Sequence, residues 1–121
     1  MYKVFLDTNI LLDYILDDRG NCQTFAEQII DQCIRGEIAC YIAPHSLTNI
    51  FYILRKVCSP DCRKEIIKMF CDLCQVVPID EGMLLEAAEL ETKDFEDALQ
   101  LVCAKRCGAS KFITRDKQLD L

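Results

Sequence analysis

The sequence predicts an α/β fold in which a central parallel sheet of about four short strands is covered by helices on both faces. Short apolar segments alternate along the chain with longer segments whose apolar residues recur at helical spacing. This alternation is typical of parallel sheets, because a parallel connection between strands needs a crossover, usually a helix. The chain of 121 residues is expected to form a single domain over 1–121, long enough to bury a hydrophobic core.

Four segments have the short apolar character of strands that are buried on both faces. They are Tyr2–Leu6, Ala39–Ile42, Gln75–Val77 and Lys111–Ile113. Side chains that follow such strands gather at the carboxyl edge of the sheet, where open α/β folds place their functional groups. We therefore expect Asp7, the region 46–49, Asp80 and the region 114–116 to lie along one edge.

Six segments have apolar residues at the spacing of a helix. They cover residues 10–16, 22–35, 47–54, 60–73, 81–90 and 95–106. Five of them begin beside a residue whose side chain can cap a helix, namely Asn9, Ser46, Ser59, Asp80 and Asp94. Pro60 strengthens the start after Ser59, because proline is favoured at the first helical position.

The composition argues against several classes of protein. Fourteen Lys and Arg residues against twenty Asp and Glu residues give a net charge of −6, which disfavours a binder that holds nucleic acid through general positive charge. No apolar run approaches the length of a membrane span, and the charge at Asp7 precedes any signal-peptide core. We expect a cytoplasmic protein without a membrane segment, whose nine cysteines are mostly small buried hydrophobes.

Three acidic residues stand where the fold could bring them together. Asp7 directly follows the first strand, and Asp116 follows the fourth. Asp97 lies on a helix that is apolar almost all round, on the face of Leu101 and Ala104, so we expect its side chain to point inward. Each acid alone also has a structural interpretation, as a helix cap, part of a capping box or a solvated loop residue.

Converging carboxylates require a partner that neutralises them. Two like charges 4 Å apart repel by about 4 kcal/mol at an effective dielectric constant of 20. Mg²⁺ or Mn²⁺ is the economical counter-ion, since it prefers carboxylate oxygens together with retained water. Water bound to such an ion is a nucleophile suited to phosphodiester bonds.

Four motifs stand in a specific order along almost the whole chain. They are FLDTNILLDYIL at 5–16, SLTNIFYIL at 46–54, DFEDALQLVCA at 94–104 and FITRD at 112–116. Together they resemble the PIN domain family, which includes the VapC-type toxin ribonucleases. The resemblance implies a three-layer α/β/α sandwich and an endoribonuclease that depends on Mg²⁺ or Mn²⁺.

The resemblance also assigns roles to individual residues. It implies that Asp7, Asp97 and Asp116 are the catalytic metal ligands, with Asp94 as an additional acid at the mouth of the site. The supporting residues that would orient the carboxylates are Thr8, Asn9 and Thr114.

Two features depart from the family's pattern. Asn49 stands where the family usually has a glutamate, and an amide oxygen can bind a hard cation but adds no charge; the hypothesis is that Asp94 compensates. The family commonly continues with a further C-terminal strand, so an end at Leu121 implies a short or truncated version of the domain.

Two alternatives to an active ribonuclease stay open. Asn49 favours a catalytically weakened PIN-like module that binds RNA or a protein partner. A phosphatase that uses Asp7 as its nucleophile is disfavoured, because Asn9 occupies the position where such enzymes need a second aspartate.

Basic side chains near the pocket are candidates for contacts with an RNA substrate. The first group is Arg115, Lys111 and Lys117. The second group is Arg55, Lys56, Arg63, Lys64 and Lys68. The other interpretation of the second group is that these side chains only form the solvated face of a helix. Tyr14, Tyr41 and Tyr52 are expected in the core, with base stacking as the alternative. The resemblance further implies an antitoxin protein that blocks the site, and a homodimer.

Overall fold

Strands and helices alternate through the part of the chain that the computed structural model describes, residues 2–16, 19–115 and 117–121. The strands are β1 (Lys3–Leu6), β2 (Ala39–Ile42), β3 (Gln75–Val76), β4 (Lys111–Thr114) and β5 (Lys117–Asp120). The α-helices are α1 (Thr8–Ile15), α2 (Asn21–Ile34), α3 (Pro44–Ile53), α4 (Pro60–Leu73), α5 (Glu81–Ala88) and α6 (Phe95–Arg106). A short 3₁₀ helix, Leu54–Lys56, follows α3.

The strands form one sheet in the order β3-β2-β1-β4-β5. β1 lies in the centre and pairs in parallel with β2 and β4, and β2 pairs in parallel with β3. Strand β5 runs antiparallel to β4 at the edge. The chain therefore leaves β1 at the middle of the carboxyl edge, where Asp7 follows.

The helices cover both faces of this sheet. Successive side chains of β1 point to opposite faces, and Leu6 packs with Leu11, Ile50 and Phe70 from the α1–α4 side. Phe5 packs instead in the cluster that contains Met83 of α5 and Leu99 of α6, on the other side. The prediction of a three-layer α/β/α fold around a central parallel sheet is confirmed, and the structure adds the antiparallel strand β5 at one edge.

Strand β5 was not among the four predicted strands. Its sequence, Lys-Gln-Leu-Asp, is exposed along its whole length and lacks the apolar run of a buried strand. An antiparallel edge strand can be polar, because one side of it faces solvent and charged residues discourage pairing with another molecule. The hairpin with β4 thus depends on backbone pairing more than on burial.

Two helix starts were predicted wrongly. Helix α1 begins at Thr8, so Asn9 lies in its first turn and Asp7 occupies the cap position without capping through its side chain. Helix α3 begins at Pro44, which suits a first helical position, and Ser46 is buried inside it. The caps predicted for the other three helices are confirmed, because backbone N–H groups donate to the side chains of Ser59, Asp80 and Asp94.

The nine cysteines differ in burial. Cys40, Cys74 and Cys103 are buried, as expected for small hydrophobes, whereas Cys62 and Cys71 are exposed on α4. Within the described ranges, none of the helices is long and apolar enough to cross a membrane.

The core beneath α4 gives a test of the packing. Phe70 is fully buried, with its ring 6.5 Å from that of Tyr14. We expect Phe70→Ala to lower the free energy of unfolding by about 3–5 kcal/mol, because it removes buried contacts and leaves a cavity. Urea denaturation measures the change. The control Leu85→Ala, at a side chain that is 62% exposed on α5, should cost less than about 1 kcal/mol; equal losses would contradict this view of the core.

A candidate active site at the carboxyl ends of the strands

Asp7 is held rigidly at the end of β1. Its backbone N–H donates to the carbonyl oxygen of Ile113 over 2.9 Å, which ties it to the neighbouring β4. Its residue surface is only 8% exposed. Gln100 Nε2 donates to one carboxylate oxygen and Thr114 Oγ1 to the other, each over 3.0 Å. Because an ionised carboxylate has about four acceptor positions, Asp7 keeps acceptor capacity for a further partner.

Gln100 links Asp7 to two helices, and the sequence analysis did not identify it. Its residue surface is 2% exposed. Its Oε1 accepts from the Thr8 backbone N–H at 3.1 Å and lies 3.3 and 3.4 Å from the hydroxyls of Thr8 and Ser46. Since the amide oxygen is taken by donors, the amide nitrogen faces Asp7. An amide side chain within the apolar helix α6, three residues after Asp97, was the signal that could have revealed it.

Asp94 and Asp97 lie at the start of α6, beside Asp7. Asp94 caps the helix by accepting from the Asp97 backbone N–H over 3.2 Å. Asp97 is exposed to solvent rather than buried among the apolar residues of its helix face. Partial desolvation, followed by the charges of Asp94, Asp7 and Glu96, raises the pKa of Asp97 above its ordinary value. The negative charges here repel one another, so a cation would stabilise them.

Most of the predicted site residues line one cavity of about 360 Å³. Six of them are Asp7, Thr8, Asn9, Asn49, Asp94 and Asp97, and the further lining residues include Tyr52, Glu96 and Gln100. A second cavity, of about 330 Å³, is also lined by Asp7 and Asp97 and adds Thr114. Residues from α1, α3 and α6 and the end of β4 thus meet at one edge of the sheet.

Glu96 joins α6 to α3, and sequence reasoning missed it. Asn49 Nδ2 donates to a carboxylate oxygen of Glu96 over 2.8 Å. His45 Nε2 lies 3.1 Å from the backbone carbonyl oxygen of Glu96 and donates to it. The uncharged Asn49 therefore holds a carboxylate against its own side of the cavity. Nothing in the sequence indicated that positions 49 and 96 would touch.

Of the three basic residues first expected to bind RNA, two are paired with acidic side chains and the third is exposed. Arg115 forms a two-point ion pair with Asp13, a fully buried acid of α1. Lys111 pairs with Asp120 of β5, and Lys117 is exposed on that strand. Asp116 lies outside the described residues.

Tyr52 does not belong to the core, contrary to the sequence-based expectation. It is 62% exposed, and the Arg55 guanidinium lies 3.8 Å from the centre of its ring. Because Tyr52 also lines the acidic cavity, an aromatic face with a cation stacked on it borders the carboxylates.

The site offers the donors of a hard cation. Four acidic residues, Asp7, Asp94, Glu96 and Asp97, line one cavity, and oxygen ligands are those that Mg²⁺ and Mn²⁺ prefer. Among residues 2–16, 19–115 and 117–121, no three His, Cys, Asp or Glu side chains come together in a way that could by themselves hold a metal ion. The oxygen chemistry of these side chains suits such an ion, whereas the placement of the described acids does not bring three of them together around one.

Comparisons with known proteins agree with this architecture. The profile of the PIN domain family matches residues 3–118. Ribonuclease VapC1 of Aquifex aeolicus (strain VF5) is 29% identical over 122 residues, which cover 95% of this chain and 82% of that protein. The crystal structure of VapBC2 from Rickettsia felis, bound to a DNA fragment from their promoter, contains a chain that matches with a TM-score of 0.65 at 15% identity, over 93% of this chain and 86% of that one. The chain described here belongs to the PIN domain family.

Proposed function

We propose that this protein is an endoribonuclease that hydrolyses RNA phosphodiester bonds and depends on Mg²⁺ or Mn²⁺. The observation that carries the proposal is the Asp7 carboxylate, oriented by two hydrogen bonds and facing the same cavity as Asp97. The relation to a protein named as a ribonuclease supports the same activity.

The ligands of the ion would be Asp7, Asp97 and Asp116, with Asp94 as a further acid. When bound, the divalent ion would lower the pKa of a water molecule and stabilise the negative charge that develops on the phosphate. Asp7 is suited to this role because its two hydrogen bonds fix the direction of both carboxylate oxygens. Preorganised ligands of this kind bind a metal more tightly than mobile ones.

Thr114 and Gln100 would act by holding Asp7 in place. Gln100 is in turn fixed by Thr8, whose hydroxyl lies 2.6 Å from that of Ser46. Asn9 and Asn49 would contribute polar groups to the cavity, and Asn49 additionally orients Glu96.

Glu96 favours an active enzyme over the alternative of a catalytically weakened module. Asn49 lacks the negative charge of the glutamate that the family usually has at this position on α3, which would weaken metal binding. Because Glu96 reaches Asn49 from α6, this side of the cavity keeps a carboxylate. Asp94 and Glu96 together would compensate for the residue that other members of the family have.

The exposed aromatic and basic groups would bind the RNA. Tyr52 and Arg55 at the rim would stack on a base or contact the sugar-phosphate backbone, and Lys117 would contribute positive charge. Single-stranded or looped RNA suits such a surface, because its bases and phosphates are accessible.

A protein partner is the second part of the proposal. The structural relative comes from a complex named VapBC2. By analogy, we propose that this chain is the toxin of a toxin–antitoxin pair in the cytoplasm, that an antitoxin protein blocks the acidic cavity, and that the nuclease forms a homodimer.

The first test removes the charge of Asp7. We expect Asp7→Asn to weaken Mn²⁺ binding and to reduce RNA cleavage by at least about 100-fold, since the variant lacks a charged ligand at the centre of the site. Titration calorimetry with Mn²⁺ and cleavage of a labelled single-stranded RNA measure the two effects. Glu27→Gln, an exposed carboxylate-to-amide change on α2, is the matched control. Wild-type levels of binding and cleavage in Asp7→Asn would refute the proposed function.

The second test concerns Gln100 as a positioning residue. Gln100→Ala removes the donor to Asp7 and frees the Thr8 and Ser46 groups. We expect Mn²⁺ affinity to fall by about 10–100-fold, with the fold retained in circular dichroism. The exposed Gln28→Ala on α2 is the control. An unchanged Mn²⁺ affinity would show that the hydrogen bond from Gln100 does not matter to the site.

A further inference from the structure

We propose that Arg115 is a positioning residue: paired with the buried Asp13, it holds the end of β4 against α1 and thereby sets where Thr114 meets Asp7. The inference rests on the proposed function, because it concerns the ion-binding carboxylates of the same site. It departs from the expectation that Arg115 contacts the RNA substrate.

The pair has the geometry of a strong, directional interaction. Arg115 Nε donates to one oxygen of Asp13 over 2.9 Å, and Arg115 Nη2 donates to the other over 2.8 Å. Two parallel hydrogen bonds of this kind define the orientation of the guanidinium as well as its position. Arg19 Nη1 lies farther away, 3.5 Å from Asp13. The Arg115–Asp13 pair is therefore the principal contact of this buried acid.

Burial explains why Asp13 needs Arg115. The Asp13 side chain is 0% exposed, whereas that of Arg115 is 41% exposed. A buried carboxylate without a partner is strongly unfavourable. The positive charge of Arg115 is balanced by Asp13, which leaves it less available to a phosphate group of RNA.

The connectivity links this pair to the site. Asp7 immediately precedes α1, and Asp13 lies on α1 six residues later. Thr114 is the last residue of β4, and Arg115 is the next in the chain. The bonds Thr114–Asp7 and Arg115–Asp13 thus join the same two segments twice. Because Arg115 directly follows Thr114 in the chain, a shift of Arg115 would also move Thr114.

Two variants of Arg115 separate positioning from RNA binding. Arg115→Gln removes the charge, and Arg115→Lys keeps the charge but loses the two-point geometry. We expect both to raise the Mn²⁺ dissociation constant by about 10–100-fold and to lower kcat, with KM for single-stranded RNA and its salt dependence unchanged. Arg35→Gln is the matched control, because Arg35 forms exposed ion pairs with Asp31 and Glu37 at the C-terminal end of α2.

Asp13 provides an independent arm of the experiment. Asp13→Asn should reproduce the effect of Arg115→Gln, and the double variant should be no worse than either single variant, because all three break the same pair. Circular dichroism and Tm report whether each variant folds. If Asp13→Asn fails to fold, the comparison of Arg115→Lys with Arg115→Gln still tests the positioning role, because the Arg115 side chain is partly exposed and its replacement disturbs the core less.

The opposite results would overturn the inference. A raised KM and a weaker salt dependence, with Mn²⁺ affinity unchanged, would make Arg115 an RNA contact. A lower Tm with unchanged Mn²⁺ affinity and kcat would make the pair merely structural. If the wild-type protein binds no Mn²⁺ and cleaves no RNA, the proposed function and this inference fail together; if the wild type is active and the Arg115 variants match it, only this inference fails.

Discussion

A buried carboxylate at the end of the central strand is the constraint on which the site depends. Asp7 is 8% exposed, and burying a charge is costly unless its oxygens have hydrogen-bond donors. The donors come from α6 and from β4, so both elements must approach β1 at defined positions. The need of the Asp7 carboxylate for hydrogen-bond donors therefore fixes β1, β4 and α6 relative to one another at the edge of the sheet where we propose the chemistry.

The same requirement recurs at Asp13. This acid lies on α1, the helix that follows Asp7, and its partner Arg115 lies just beyond β4. Two buried acids, Asp7 and Asp13, thus each accept hydrogen bonds from a residue at or just beyond the end of β4. A buried charge destabilises the fold unless it is paired, so these contacts favour one position for the end of β4 over others.

Three acidic residues at the start of α6 line the same cavity as Asp7. Asp94, Glu96 and Asp97 occupy the first turn of α6 and its cap, where the positive end of the helix dipole favours negative charge. Partial desolvation, together with the repulsion from the neighbouring carboxylates, nevertheless raises the pKa of Asp97. Helix capping and the proposed metal binding would therefore use the same group of residues, which explains why neither interpretation of these acids excluded the other.

The sequence by itself determined four of the five strands, their alternation with six helices and three of the caps, because these follow from apolar periodicity, the connections of a parallel sheet and the chemistry of capping residues. Only the tertiary structure decided the partners of the buried groups. The bonds from Gln100 and Thr114 to Asp7 join residues 93 and 107 positions apart, and the Arg115–Asp13 and Asn49–Glu96 contacts span 102 and 47. Such contacts depend on how whole elements pack and on which rotamers the packing allows, and periodicity along one element contains no information about either.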